Sequence, residues 1–160
     1  ARSTVSDPVA GYETLFGLAV ALRDQGALGI IQTPAEQCLR IEDLACWFEQ
    51  GVFAAVRDGM DKALLCNLIP FYGENGTWWT TKGNYVFSIP DFAFWITDEL
   101  QPGQVRNLLY YMFDYIRKGA KVLPGETIAI GKTAKLGVGH VTEYRELLQG
   151  GGETLTLRFV

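Results

Sequence analysis

The sequence contains few of the residues from which metal and catalytic sites are commonly built. It has a single histidine, His140, and three cysteines, Cys38, Cys46 and Cys66. The spacing of the cysteines matches no zinc-binding pattern, and their odd number does not suit a disulfide framework in a chain of this size. We therefore interpret the cysteines as buried apolar thiols. We predict a cytoplasmic protein that holds no metal and no cofactor.

Clusters of basic residues and long apolar runs are also missing. The net charge is -4, and no three basic residues stand together. Nucleic-acid phosphates require clustered positive charge, so we predict no nucleic-acid partner. No apolar run approaches the roughly 18 residues that cross a membrane. The N-terminal residues also lack the apolar core of a secretory signal. We predict a soluble protein with no membrane partner.

The common catalytic motifs are absent as well. Gly131-Lys132-Thr133 has the end of a phosphate-binding loop, but Glu126 stands where the first glycine of that motif belongs. Any Cys–His or Ser–His pair would have to use His140, because it is the only histidine in the chain. Histidine is suited to proton transfer because it titrates near neutral pH. His140 follows Gly137 and Gly139 in a segment with a strand pattern, so we interpret it as structural or exposed. No catalytic residue is assigned.

Helices are predicted at three places in the chain. Asp7 is placed as the N-cap and Pro8 as the first residue of a helix over residues 8–25, which Gly26 ends. A second helical region begins near Glu42 and is either one kinked helix or two short ones. A third helix begins after residue 101 and ends at residue 119. The length of 160 residues and the apolar fraction of 48% predict a single globular domain over residues 1–160.

Strands are predicted between and after these helices. Residues 27–32 form an apolar run that we interpret as a buried strand, followed by a loop to Ile41. Pro70 places its strand at an edge or at a strand end. The predicted meander comprises residues 63–72, 77–81, 84–89 and 91–96, with a turn at 73–76, and the last strands comprise residues 126–131, 137–144 and 154–160. This order predicts an α+β fold, with a mainly antiparallel sheet and two or three helices packed on one face.

Nine of the 20 aromatic residues lie in residues 71–95, on the predicted meander. Trp78 and Trp79 are neighbours on one strand, so their side chains point to opposite faces of the sheet. The cluster is interpreted as core, as a partner interface or as a small-molecule pocket, and the pattern leaves all three open. The candidate binding residues are Trp78, Trp79, Lys82, Tyr85, Asp91 and His140.

The chain resembles a bacterial family known as domain of unknown function 4261. The resemblance is carried by Thr81-Lys82-Gly83, by Ser88-Ile89-Pro90-Asp91-Phe92, and by the apolar strand GALGIIQ that follows the first helix. Gly119 with Gly125-Glu126-Thr127-Ile128, followed by a closing apolar strand, is also similar. Because these motifs contain turn residues rather than catalytic ones, the resemblance implies a fold and a bacterial origin, but no activity.

We expect a non-enzymatic protein that acts through protein–protein contact, as an accessory or immunity-type factor. The absence of a nucleophile–base set, the aromatic meander and the acidic net charge support this expectation. Two alternatives remain. One is a small-molecule-binding or hydrolytic enzyme that uses His140, and the other is a structural subunit that self-assembles through the aromatic strands.

Overall fold

A computed structural model describes residues 7–57, 65–97, 100–132 and 134–160. Contacts between Cα atoms divide the chain into two compact units, Ala1–Leu65 and Cys66–Val160. The described residues form five α-helices and eight strands, and the predicted α+β class with a mainly antiparallel sheet is confirmed. Within the described ranges no helix is both long and apolar enough to cross a membrane. The single domain over residues 1–160 stays a prediction.

The first unit contains three helices and a two-stranded sheet. In chain order its elements are α1 (Pro8–Ala21), β1 (Gly29–Gln32), β2 (Gln37–Arg40), α2 (Ile41–Glu49) and α3 (Val52–Arg57). The predicted N-cap of α1 is confirmed, because the carboxylate of Asp7 accepts a hydrogen bond from the Val9 N–H at 3.0 Å. Gly26, with φ 92°, closes the 3-10 turn that follows α1. Gly51, with φ 68°, lies between α2 and α3, so the second helical region is two short helices.

Two predictions for β1 and its surroundings are wrong. The segment before Ile41, predicted as a loop, contains β2, which pairs with β1 in antiparallel register. β1 was predicted to be buried, but Ile31 is 81% exposed and the neighbouring Leu28 is 83% exposed. These apolar residues form a strand without being buried. The sheet has only two strands, so each strand has one strand neighbour and little of its surface is covered.

The cysteines differ from their predicted environment in two of three cases. Cys66 is buried, as predicted, whereas Cys38 and Cys46 are exposed. Cys38 lies on β2 and Cys46 on α2, and both face solvent because only one side of each element is covered. All three are free thiols, so none contributes a covalent cross-link.

The second unit is built around a six-stranded sheet. In chain order its elements are β3 (Asn67–Gly73), β4 (Gly76–Lys82), β5 (Asp91–Ile96), α4 (Pro102–Arg117), β6 (Thr127–Ile130), β7 (Ala134–His140), α5 (Arg145–Leu148) and β8 (Thr154–Phe159). The strand order is β3-β4-β5-β8-β7-β6. β5 and β8 are parallel, and the other neighbours are antiparallel. Pro70 lies on the edge strand β3, as its missing N–H predicted.

The hairpin of β3 and β4 has the predicted turn, with Gly73 paired to Gly76. A Cβ atom at Gly76 would collide with the carbonyl oxygen of Ile96 and would lie 2.7 Å from the Trp95 ring. Glycine is therefore required there by the close approach of β5 to the turn. Residues 63 and 64 of the predicted first strand lie outside the described residues.

The strand predicted at residues 84–89 is wrong. Asn84–Phe87 is a 3-10 helix, flanked by Gly83 with φ 101° and Ser88 with φ 60°. These left-handed residues interrupt the extended backbone at both ends, so the meander has three strands. The predicted strand at 137–144 ends earlier, at His140, and a single helical turn, α5, follows it.

The two faces of the six-stranded sheet carry different residues. Trp78 packs in one buried cluster, whose other members are Ala93, Val141 and Leu148. Val141 and Leu148 belong to the segment between β7 and β8, so this segment covers the Trp78 face. On the helical side of the unit, Phe87 contacts Phe113 of α4, with ring centroids 5.5 Å apart.

Candidate functional site

Three aromatic side chains form a row across the Trp78 face of the sheet. Phe71 on β3 pairs with Trp78 on β4, and Trp78 pairs with Trp95 on β5. The two tryptophan rings are tilted by 54°, with centroids 5.2 Å apart. Trp78 is only 3% exposed, while Phe71 and Trp95 are half-buried against it. The row is therefore core at its centre and accessible at both ends.

An ion pair on the neighbouring segments lies against this row. The guanidinium carbon of Arg158 on β8 lies 5.2 Å from the ring centroid of Trp78, within the range of a cation–π contact. Its Nη2 atom donates a hydrogen bond to Oε1 of Glu143 at 3.2 Å. The side chains of both partners are about half exposed, 52% and 55%. Water screens such a pair, so Arg158 and Glu143 are available to a ligand.

The row and the ion pair line one cleft of about 520 Å³. This volume lies in the range of small-ligand sites, about 300–1,000 Å³. The turn of the β3–β4 hairpin forms one rim, and residues 143–147 form the other. Its lining residues are Phe71, Tyr72, Gly73, Glu74, Asn75, Trp78, Trp95, Glu143, Tyr144, Leu147 and Arg158.

Two tyrosines stand at the rims of this cleft. Tyr72 is 83% exposed at the end of β3, and Tyr144 is 50% exposed at the start of α5. Tyr144 has φ 50° and ψ 39°, a left-handed conformation that a tyrosine rarely adopts. Such strain costs on the order of 1 kcal/mol and is concentrated at functional sites. The strained backbone of Tyr144 therefore marks this rim as a candidate binding position.

A second cavity of about 530 Å³ adjoins the first. The two cavities share Trp95 and Arg158. The second is also lined by Ile96 and Phe159. Both cavities are bordered by Trp95 and Arg158, and we refer to them together as the groove.

A buried polar cluster lies at the other end of β4. Lys82 is 1% exposed. Its Nζ atom donates hydrogen bonds to the carbonyl oxygens of Leu147 at 2.9 Å and Gln149 at 3.1 Å. Thr80 donates to the carbonyl of Leu148 between them at 3.2 Å. Two side chains of β4 thus satisfy three consecutive carbonyls at the end of α5, which lack partners within so short a helix.

Asp91, which is fully buried, holds the turn between β4 and β5. Its Oδ1 atom accepts hydrogen bonds from the Thr81 hydroxyl and from the Asn84 N–H, both at 3.1 Å. The Thr81 hydroxyl oxygen in turn accepts from the N–H of Phe92 at 2.8 Å. These bonds fix the 3-10 helix that the sequence did not predict. The turn motifs in residues 81–92 therefore serve to hold this part of the fold.

The other carboxylate oxygen of Asp91, Oδ2, has no hydrogen-bond partner among the described residues. Burial raises the pKa of Asp91 from 3.8 to about 6, because the carboxylate loses its water. Hydrogen bonds from Asn84, Thr81 and Gly83 lower this pKa, as does the charge of Lys82, but burial outweighs them. The protonation state of Asp91 therefore changes near pH 6.

We expect this carboxyl group to make stability depend on pH. The folded pKa, about 6, exceeds the unfolded value of 3.8, so the folded chain holds the proton more tightly between these values. The free energy of unfolding should therefore fall as pH rises through 6. Relative to Asp91→Asn, wild-type stability should fall by about 2 kcal/mol between about pH 4.5 and about pH 7.5. Urea unfolding of both proteins across this range measures the difference, and a constant difference would contradict the raised pKa.

The three glycines at residues 150–152 lie against this cluster. A Cβ atom at Gly151 would be 2.7 Å from the Tyr85 ring, and one at Gly152 would be 2.6 Å from the Tyr85 Cβ. At Gly150, a Cβ would be 2.8 Å from Oδ2 of Asp91. The run of glycines is therefore needed for close packing.

The six predicted binding residues thus separate into different places. Trp78 lies beneath the cleft, and Lys82, Tyr85 and Asp91 meet around residues 150–152. Trp79 is half-buried on the opposite face of β4. The cleft residues that the prediction missed, Tyr72, Trp95, Glu143, Tyr144 and Arg158, come from strands and loops distant in sequence.

His140 lies apart from both groups. It is exposed on β7, where it pairs with Leu155 of β8. Its backbone oxygen accepts a hydrogen bond from the Thr156 hydroxyl at 3.3 Å. Its imidazole forms no hydrogen bond or ion pair with an acid or thiol in the described part of the chain. We assign no catalytic role to it.

No three histidine, cysteine or acidic side chains converge within the described ranges to hold a metal ion. Comparison with protein-family profiles, curated proteins and solved structures finds no match to the chain. Membership of the family of domain of unknown function 4261 stays a prediction.

Proposed function

We propose that this protein is a binding protein that holds an extended segment of a partner protein in the aromatic cleft. The observation that carries the proposal is the cleft beside Tyr72, Trp95 and Arg158, with aromatic walls and a polar rim. Tyrosine, tryptophan and arginine are the side chains that contribute most to protein–protein binding.

The shape of the groove supports an elongated occupant. Two adjoining cavities share Trp95 and Arg158, so a chain that passes over these two residues would contact both. Tyr72 supports a binding role independently, because its side chain is 83% exposed and contributes little to the core. An exposed tyrosine ring offers a large contact area at a small cost in side-chain entropy.

We expect Tyr72→Ala to weaken peptide binding at least about tenfold, the effect of losing a central aromatic contact. Short random peptides displayed on phage are selected on the wild-type protein, and the affinities of the enriched peptides are measured on both proteins. Because Tyr72 is exposed, the melting temperature should stay nearly unchanged.

Tyr111→Ala is the matched control. Tyr111 is 49% exposed on α4, stacks on Tyr115 and lines neither cavity of the groove. Its replacement should leave peptide affinity unaltered. The proposal fails if no peptide is enriched, or if enriched peptides bind wild type and Tyr72→Ala equally.

A further inference from the structure

Resting on the proposed function, we infer that the bound segment carries a lysine or arginine side chain, which enters the cleft between Tyr72 and the carboxylates of Glu74 and Glu143. This inference names the chemistry of the partner. It follows from three features of the cleft, namely a resident cation, an excess of acidic groups and exposed aromatic surface.

The resident cation shows which groups hold a positive charge in the cleft. The guanidinium of Arg158 lies over the ring of Trp78 and donates a hydrogen bond to Glu143. An aromatic face and a carboxylate together form the environment that a cationic side chain prefers. A second cation beside Arg158 would be repelled by its charge, so it enters on the side of the cleft that carries Glu74.

The cleft contains more acidic than basic groups. Glu74 and Glu143 line it, and Arg158 is the basic residue among its lining residues. Glu143 is paired with Arg158, whereas Glu74 is exposed on the hairpin turn and forms no ion pair with a described residue. The chain as a whole has a net charge of -4. Both the local and the overall charge attract a basic segment.

The aromatic rim supplies the remaining contact surface. Tyr72 lines the cleft on the strand that leads into the turn with Glu74, and its side chain is 83% exposed. The aliphatic part of a lysine or arginine side chain can also pack on the half-buried Phe71 and Trp95. An acidic segment would have to displace Glu143 from Arg158 and would be repelled by Glu74.

The test uses the peptides whose binding depends on Tyr72. Their pool should be enriched in lysine and arginine and depleted of aspartate and glutamate. Each selected peptide is also synthesised with its basic residue replaced by glutamine, which should weaken binding about fivefold or more. Raising the NaCl concentration from about 0.05 M to about 0.5 M should weaken the basic peptide more than its glutamine counterpart.

Substitutions in the protein provide the second measurement. The double variant Glu74→Gln and Glu143→Gln should weaken basic peptides about fivefold and leave the glutamine peptides unchanged. Glu146→Gln is the matched control, since Glu146 is exposed on α5 and lines neither cavity. The Glu146→Gln variant should bind the basic peptides and the glutamine peptides with the same affinities as wild type.

The outcomes separate this inference from the proposed function. Tyr72-dependent peptides that are neutral or acidic, and that bind the double variant as well as wild type, would overturn the basic partner and leave a peptide-binding cleft. The absence of any Tyr72-dependent peptide would overturn both. Basic peptides that bind Tyr72→Ala and wild type equally would indicate attraction to the acidic surface and would likewise contradict the inference.

Discussion

Replacement of Lys82 by methionine is expected to lower the free energy of unfolding at pH 7.5 by about 3–5 kcal/mol, the usual cost of removing one member of a buried charged set. Methionine retains much of the apolar stem of lysine, so the change removes mainly the charge and its hydrogen bonds. The carbonyls of Leu147 and Gln149 would lose their donor, and the buried Asp91 would lose a neighbouring positive charge. Urea unfolding followed by circular dichroism measures the loss.

Lys135→Met provides the matched control for this prediction. Lys135 is exposed on β7, so the same chemical change there should alter stability by no more than about 0.5 kcal/mol. The loss caused by Lys82→Met should also shrink near pH 4.5, because Asp91 then takes up a proton. A loss below about 1 kcal/mol at pH 7.5 would contradict the buried hydrogen-bonded position of Lys82.

We expect Trp78→Ala to destabilise the fold by about 3–5 kcal/mol, the range for a large aromatic side chain deleted from a core. Trp78 is 3% exposed and packs against Ala93, Val141 and Leu148. Alanine would leave a cavity beneath the aromatic cleft, and Trp95 would lose its ring contact at 5.2 Å. Unfolding is best followed by circular dichroism, because the substitution removes a fluorescent residue.

Trp79→Ala is the internal comparison for Trp78→Ala. Trp79 is the next residue on the same strand, but its side chain is half-buried on the opposite face. Its replacement should therefore cost less, about 1–2 kcal/mol. Equal losses for the two variants, or a larger loss for Trp79→Ala, would contradict the assignment of Trp78 to the core and Trp79 to a partly open face.

Local signals in the sequence predicted most of the elements. Asp7 and Pro8 located the start of α1, because an N-cap depends on near neighbours. The helix ends at Ala21, earlier than predicted, and Gly26 ends the 3-10 turn that follows it. The alternation of residues 154–160 predicted β8 in the same way. The prediction of a strand at residues 84–89 was wrong, because the aromatic and β-branched residues of this segment favour strands. Its 3-10 conformation depends on a buried carboxylate, Asp91.

The candidate site could be predicted only in part. The concentration of aromatics in residues 71–95 correctly directed attention to the sheet, and adjacency placed Trp78 and Trp79 on opposite faces. The sequence did not predict that Lys82 and Asp91 are buried, since charged residues next to turns are usually solvated. Glu143 and Arg158 were missed, because residues so far from the hairpin carry no local sign that they will line its cleft.

The sequence by itself determined the start of α1, the hairpin, the α+β class and the aromatic content of the strands, since each follows from the chemistry of neighbouring residues. The tertiary structure alone decided what those residues contact. Lys82 bonds to carbonyls 65 and 67 residues further along the chain. Arg158 reaches Trp78 and Glu143 because β8 enters the sheet beside β5. Burial of Lys82 and exposure of the cleft arise from strand order, which brings together residues whose local sequences are independent of one another.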